Sequence, residues 1–190
     1  VAAYPWIAKL VSALRAPQKA VRPNDPWRTF ALERDLDYST SYTADGGLLP
    51  KRRTMTGSVS GIVMRIELGK LAKVSAQISS VGDGKMSVYS DNTLVDMATI
   101  SAPALSDTGD EDFDAHFFLR GTEQKLAEQL LTVDVRHALL RFSTEICLDY
   151  DSGELSLTLP TDGIDVPAVD AACDIIVAAC KPRPSAGAYR

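Results

Sequence analysis

Apolar positions recur along this chain with two different spacings, and the changes between them mark its elements. Ile7, Leu10, Val11 and Leu14 fall at helical spacing within residues 4–15, and Pro17, Pro23 and Pro26 block continuation. The pattern predicts an amphipathic helix and proline-containing linker over residues 1–26, an α+β domain over 27–182 and a loose tail over 183–190. Asn24-Asp25-Pro26 then offers a cap and a first-turn proline for a helix carrying Trp27, Phe30, Ala31 and Leu36.

Over residues 53–93 the spacing shifts to two. Ile62, Met64, Ile66 and Leu68 share one face, followed by Val74, Ala76 and Ile78 and then Met86 and Val88. Such alternation predicts antiparallel strands with one face in the core and one in water. Gly82-Asp83-Gly84 reads as a tight hairpin between two of these runs. Gly57 and Gly61, both placed in the first strand, read as a bulge or a close backbone approach.

Residues 115–120 form another predicted strand. Thr122 and Thr132 are read as caps of two helices, one with Leu126, Leu130 and Leu131 and one with Val135, Leu139, Leu140 and Phe142 inward. Ile146, Leu148 and Tyr150 alternate, Asp151-Ser152-Gly153 turns, and Leu155, Leu157 and Leu159 alternate back as a hairpin. Asp165 caps a last helix striped by Val166, Val169, Cys173, Ile176, Val177 and Cys180, which Pro182 stops. The expected fold is α+β: an antiparallel sheet of about six or seven strands with helices packed on one face.

Composition narrows the function. A formal net charge of -5 with a pI near 5.0 leaves no overall positive field for phosphates, so no nucleic-acid partner is expected. The mean hydropathy of -0.03 is that of a soluble domain, and no apolar run reaches the ~20 residues that span a bilayer. The three cysteines, Cys147, Cys173 and Cys180, have no metal-binding spacing and suit a reducing, cytoplasmic compartment.

Candidate chemistry is sparse. Asp107, Asp110, Asp112 and Asp114 crowd one loop with ligands of the type calcium takes, but Gly109 and Phe118 stand where an EF-hand order would not have them. An acidic loop in which Asp107 and Asp110 bond nearby backbone N–H groups, anchored by Phe113, explains the run better. His116 and His137 form no HxxxH pair, and Cys173 and Cys180 share an apolar stripe where cysteine packs as a small hydrophobe. Gly57-Ser58-Val59-Ser60-Gly61 has terminal glycines like a nucleophile elbow but valine at its centre. Lys51, Arg52 and Arg53 are the densest basic run, read as a solvated edge or protection against edge pairing at a strand entrance, with a phosphate site as the lesser alternative. Trp27, Tyr89 and Phe117 are aromatic candidates for a ligand pocket between sheet and helices, against core packing. No catalytic residue and no cofactor is indicated.

Several short motifs together resemble a group of uncharacterised bacterial domains often carried on membrane-associated chains. They are Trp27 with Phe30-Ala31, the glycines of Thr56-Gly57-Ser58-Val59-Ser60-Gly61, Thr108-Gly109-Asp110 with Phe113-Asp114, Leu130-Leu131-Thr132 with Val135-Arg136, and the late helix. The resemblance covers most of residues 27–180. It implies a bacterial source and membrane contact through an upstream segment, and carries over no catalytic or ligand residues. The expectation is a non-enzymatic domain, cytoplasmic or tethered on the cytoplasmic side, that binds a protein partner or its own copies. A small-ligand pocket and a cation module at residues 107–114 are the alternatives.

Overall fold

A computed structural model describes residues 25–42, 52–79, 81–90, 103–142, 145–160 and 164–181. The helix expected over residues 4–15, Lys51 and the tail lie outside these. The elements, in chain order, are α1 (Pro26–Glu33), β1 (Leu36–Ser41), β2 (Arg52–Val59), β3 (Ile62–Leu68), β4 (Leu71–Gln77), β5 (Lys85–Ser90), α2 (Glu111–Asp114), β6 (Phe117–Gly121), α3 (Gln124–Leu130), α4 (Val133–Leu139), β7 (Cys147–Asp151), β8 (Glu154–Pro160) and α5 (Val166–Cys180).

α1 begins where the sequence places it. The Asp25 carboxylate accepts from Trp27 N at 3.2 Å, Pro26 needs no donor partner, and Trp27, Phe30 and Ala31 are buried. Leu36 is not part of this helix. Arg34 caps it, Asp35 takes a positive φ of 54°, and Leu36 opens β1. β1 is the strand missing from the expected six or seven: the sheet has eight, ordered β1-β2-β3-β4-β8-β7-β5-β6, all antiparallel.

The hairpins follow local turn chemistry. Ser60 and Gly61 both have positive φ (52° and 83°) and close the two-residue turn between β2 and β3. Gly61 is therefore a turn residue, not a strand residue. Ser152 and Gly153 do the same between β7 and β8. Gly57 is in β2 at a close approach: a Cβ there would lie 2.7 Å from Leu36 Cδ2 and 3.1 Å from the Asp35 carbonyl.

Residues 82–84 do not form the hairpin expected of them. β4 pairs with β8 and β5 with β7, so the β7–β8 hairpin lies between the two strands they connect. The hairpin brings Leu148, Tyr150, Leu155 and Leu157 into the middle of the core, and each is fully buried. At about 1.5–3 kcal/mol per buried large side chain, that insertion outweighs a direct β4–β5 pairing. The Tyr150 hydroxyl donates to the carbonyls of Gly82 (2.8 Å) and Val81 (3.2 Å), fastening the connection over the end of β7.

The helices cover one face. α5 lies on β4 and β8, α1 on β1, α2 on β6 and α3 on β5. Asp165 caps α5 through Ala168 N at 2.9 Å, and Thr132 caps α4 through Val135 N at 3.3 Å. Thr122 is not a cap: its hydroxyl accepts from Lys85 N at 3.1 Å, joining β5 to the end of β6, and Glu123 precedes α3 without a side-chain bond. Cys173 and Cys180 pack inside, with burial pushing their thiols up to about 12 and about 11.

Candidate functional site: the open face of the sheet

Side chains alternate across the sheet, so the face away from the helices is set by the same register that builds the core. One row across it reads Thr56, Arg65, Ser75, Ser156, Asp149, Ser87 and Arg120 by direct cross-strand pairing. The next reads Thr54, Glu67, Lys73, Thr158, Cys147, Tyr89 and Phe118. Small side chains occupy the centre and long charged ones surround them. The result is a trough of about 1160 Å³ reaching from Ser41 and Arg52 at the β1–β2 side to Asp151 and Ser152 at the β7–β8 turn.

Its charges are arranged in pairs. Arg52 and Arg65 both bond Glu67, the latter at 2.6 and 2.8 Å. Burial alone would raise the Glu67 carboxyl, but the two guanidinium groups outweigh it and hold it below its ordinary value. Lys73 bonds Glu154 at 3.0 Å, and Lys85 bonds Asp151 at 2.8 Å, depressing that carboxyl with help from the Ser152 hydroxyl. The cations that line the trough, Arg52, Lys70 and Lys73, lie on β2, β4 and the β3–β4 turn, while Asp149, Asp151 and Glu154 lie on β7 and β8. The trough is thus polarised, positive toward β2–β4 and negative toward β7–β8, with Glu67 the acid among the cations.

At the floor, Asp149 accepts from the Ser87 hydroxyl and from Cys147 Sγ at 3.3 Å. Burial pushes the Cys147 thiol up, and the Asp149 charge and hydrogen bond push it further. A thiol held protonated in this way is a poor nucleophile at neutral pH.

The residues singled out from sequence are distributed more widely. Arg52 belongs to the trough. Arg53 points to the helix face, where its Nε lies 3.5 Å from Asp25 Oδ2. The Tyr38 hydroxyl donates to the same Asp25 carboxylate at 2.6 Å and is pushed up to about 12 by burial and by that bond. Trp27 is core, and Phe117 stacks on Phe113 at 4.7 Å on the helix face. Tyr89 is on the opposite face, buried beneath Phe118 with ring centroids 5.6 Å apart. These aromatics cannot line one pocket because the sheet separates them.

The acidic loop is committed to its own backbone, through Asp110 as expected and through Asp114 in place of Asp107. Asp114, not Asp107, accepts from Thr108 N (3.0 Å), Thr108 Oγ1 (2.9 Å) and Gly109 N (3.1 Å). Asp110 caps α2 through Phe113 N at 3.3 Å and pairs with Arg136 Nε at 3.0 Å, which holds its carboxyl below the ordinary range. Asp112 and Asp107 are exposed, and His116 Nδ1 meets the Asp112 carbonyl at 2.7 Å. Among the described residues no three His, Cys, Asp or Glu side chains converge as a metal site. No described helix is long and apolar enough to cross a membrane.

The chain matches no protein-family model, and no curated protein is similar to it in sequence. Its fold is similar to that in the crystal structure of the mycobacterial trehalose monomycolate transport factor A, with a TM-score of 0.56 over 83% of this chain and 95% of that one. Identity is 9%. What the two share is the fold.

Sequence reading missed the trough. Lys73 and Glu154 are 81 residues apart, and no local spacing joins them. The available signal was the polar half of each alternating strand, Thr54-Thr56 with Arg65-Glu67, Lys73-Ser75 and Ser156-Thr158.

Proposed function

We infer that the chain is a non-enzymatic interaction domain that docks a protein partner on the open face of its sheet. The observation that carries this reading is the polarised trough, lined by cross-strand ion pairs and small floor side chains. Complementary charge of this kind steers encounter and fixes orientation more than it adds affinity. Exposed pairs cost little to rearrange, since each contributes at most about 1 kcal/mol. The similar fold of a mycobacterial transport factor supports an accessory role, and the three buried, free thiols fit a reducing, cytoplasmic compartment.

The test is site-specific photo-cross-linking in the source cell. A cross-linker at Leu71 or Thr158, in the trough, is expected to capture one protein in stoichiometric yield. The same group at Val133, exposed at the start of α4, is expected not to. Equal capture from both faces would overturn the assignment.

A further inference from the structure

The two edges of the sheet are finished differently. Beyond β6, Gly121 N donates to the Pro103 carbonyl at 3.1 Å and Leu105 N to the Leu119 carbonyl at 3.0 Å, while Ala104 bridges Arg120. That edge is closed by the chain itself. Among the described residues, β1 is the terminal strand at the other end. Its register with β2 runs unbroken from Leu36 to Ser41. Its one charge is Asp37, and it contains neither lysine nor proline and no bulge, three of the devices that guard edge strands against pairing.

The same edge is rigid. The Tyr38 hydroxyl is anchored on the cap of α1, and the absent side chain of Gly57 lets β1 lie close against β2. Little ordering entropy is left to lose when a further strand adds. Apolar surface lies nearby. Leu32, on the helix that packs on β1, is 72% exposed, and Tyr42, just past the strand, is 37% exposed.

We propose that β1 pairs antiparallel with β1 of a second copy of this chain, joining the two sheets across a two-fold axis. The strand's own pattern argues for this occupant. A continuous sheet keeps Asp37, Ser39 and Ser41 of both copies on the open face and Tyr38 and Thr40 on the other, so only residues of like parity can meet. Two registers pair all but one residue of the strand, and the first sets Ser39 opposite itself with Asp37 opposite Ser41. The other sets Tyr38 opposite itself with Asp37 opposite Ser39. Neither brings two charges together, and each gives the Asp37 carboxylate a hydroxyl donor across the axis. The strand is therefore self-complementary, as an isologous interface requires. This pairing uses an edge, not the open face, and leaves both troughs accessible.

Sedimentation equilibrium on the full chain over a range of concentrations tests it. The wild type is expected to dimerise, and Ser39→Asp to raise the dimer Kd by roughly tenfold or more, because it sets like charges opposite in either register. Val63→Asp, which adds a charge on the open face outside the trough, is expected to leave the Kd unchanged. Amide exchange on the wild type gives a second reading, with residues 36–41 gaining protection as concentration rises. A monomer at every concentration, a wild-type Kd for Ser39→Asp, dissociation by Val63→Asp, or exchange independent of concentration would overturn the proposal.

Discussion

Replacing Gly57 by alanine adds one methyl group at a close approach between β1 and β2. That methyl would lie 2.7 Å from Leu36 Cδ2, 3.1 Å from the Asp35 carbonyl and 3.3 Å from Leu36 Cα. The side-chain clash can be relieved by turning Leu36, but Leu36 is itself buried and would leave part of its packing behind. The backbone contacts cannot yield so easily, because Asp35 is already held at positive φ between α1 and β1. Overpacking of this kind costs about 1–3 kcal/mol. For a chain of this size about 2 kcal/mol lowers Tm by roughly 4–8 °C. Urea denaturation with an unchanged m-value is the assay, run as a double-mutant cycle with Leu36→Ala. With the leucine truncated, the added methyl has room on that side, so the cost of Gly57→Ala is expected to shrink by at least about half. A neutral Gly57→Ala, or an equal cost in both backgrounds, would refute the close approach and with it the placement of β1.

Further outcomes follow from the ionisable groups. Arg136 links the acidic loop to the α3–α4 junction through Asp110 at 3.0 Å and the Leu131 carbonyl at 2.8 Å, so Arg136→Ala is expected to cost about 2 kcal/mol, measured by denaturation. Arg136→Lys should recover little of it, since one ammonium cannot reproduce the fork. Cys147, Cys173, Cys180 and Tyr38 all have pKa values raised by folding, so their contribution is fully present below the unfolded values of 9.0 and 10.0 and is lost as pH rises beyond them. Thermal melts should therefore decline from about pH 9 upward, and Cys173→Ala should flatten that decline. Glu67, Asp110 and Asp151 have lowered values, so their contribution is present above the unfolded values of 4.5, 3.8 and 3.8 and falls away in acid.

Much of the fold was legible because local signals and burial agree there. The caps at Asp25, Thr132 and Asp165, the Ser152-Gly153 turn and the alternation of β3, β7 and β8 each depend on neighbours in sequence. β1 was hidden because Leu36 continues the helical spacing of Trp27 and Phe30, and only the positive φ at Asp35 breaks it. The β4–β5 connection misled because glycines announce a turn without saying which strands it joins. Gly82 and Gly84 serve a crossover whose partner strands come 60 and more residues later. Thr122 was misread for the opposite reason: it precedes a helix, but a strand amide reaches its hydroxyl first. The trough was the least legible part. A polar strand face reads as solvated until the strand order sets Lys73 beside Glu154 and Asp149 beside Ser87.

Exchanging the charges of one trough pair tests the central claim most directly. Lys73→Glu combined with Glu154→Lys restores an ion pair across β4 and β8 and should keep the fold, at a cost of at most about 1 kcal/mol from the new carboxylate opposite Glu67, while reversing the local field of the trough. The measurement is the affinity of this swapped chain for the protein cross-linked from Leu71. The account predicts a loss of about tenfold or more with the fold intact. Wild-type affinity in the swapped chain would contradict docking on the open face.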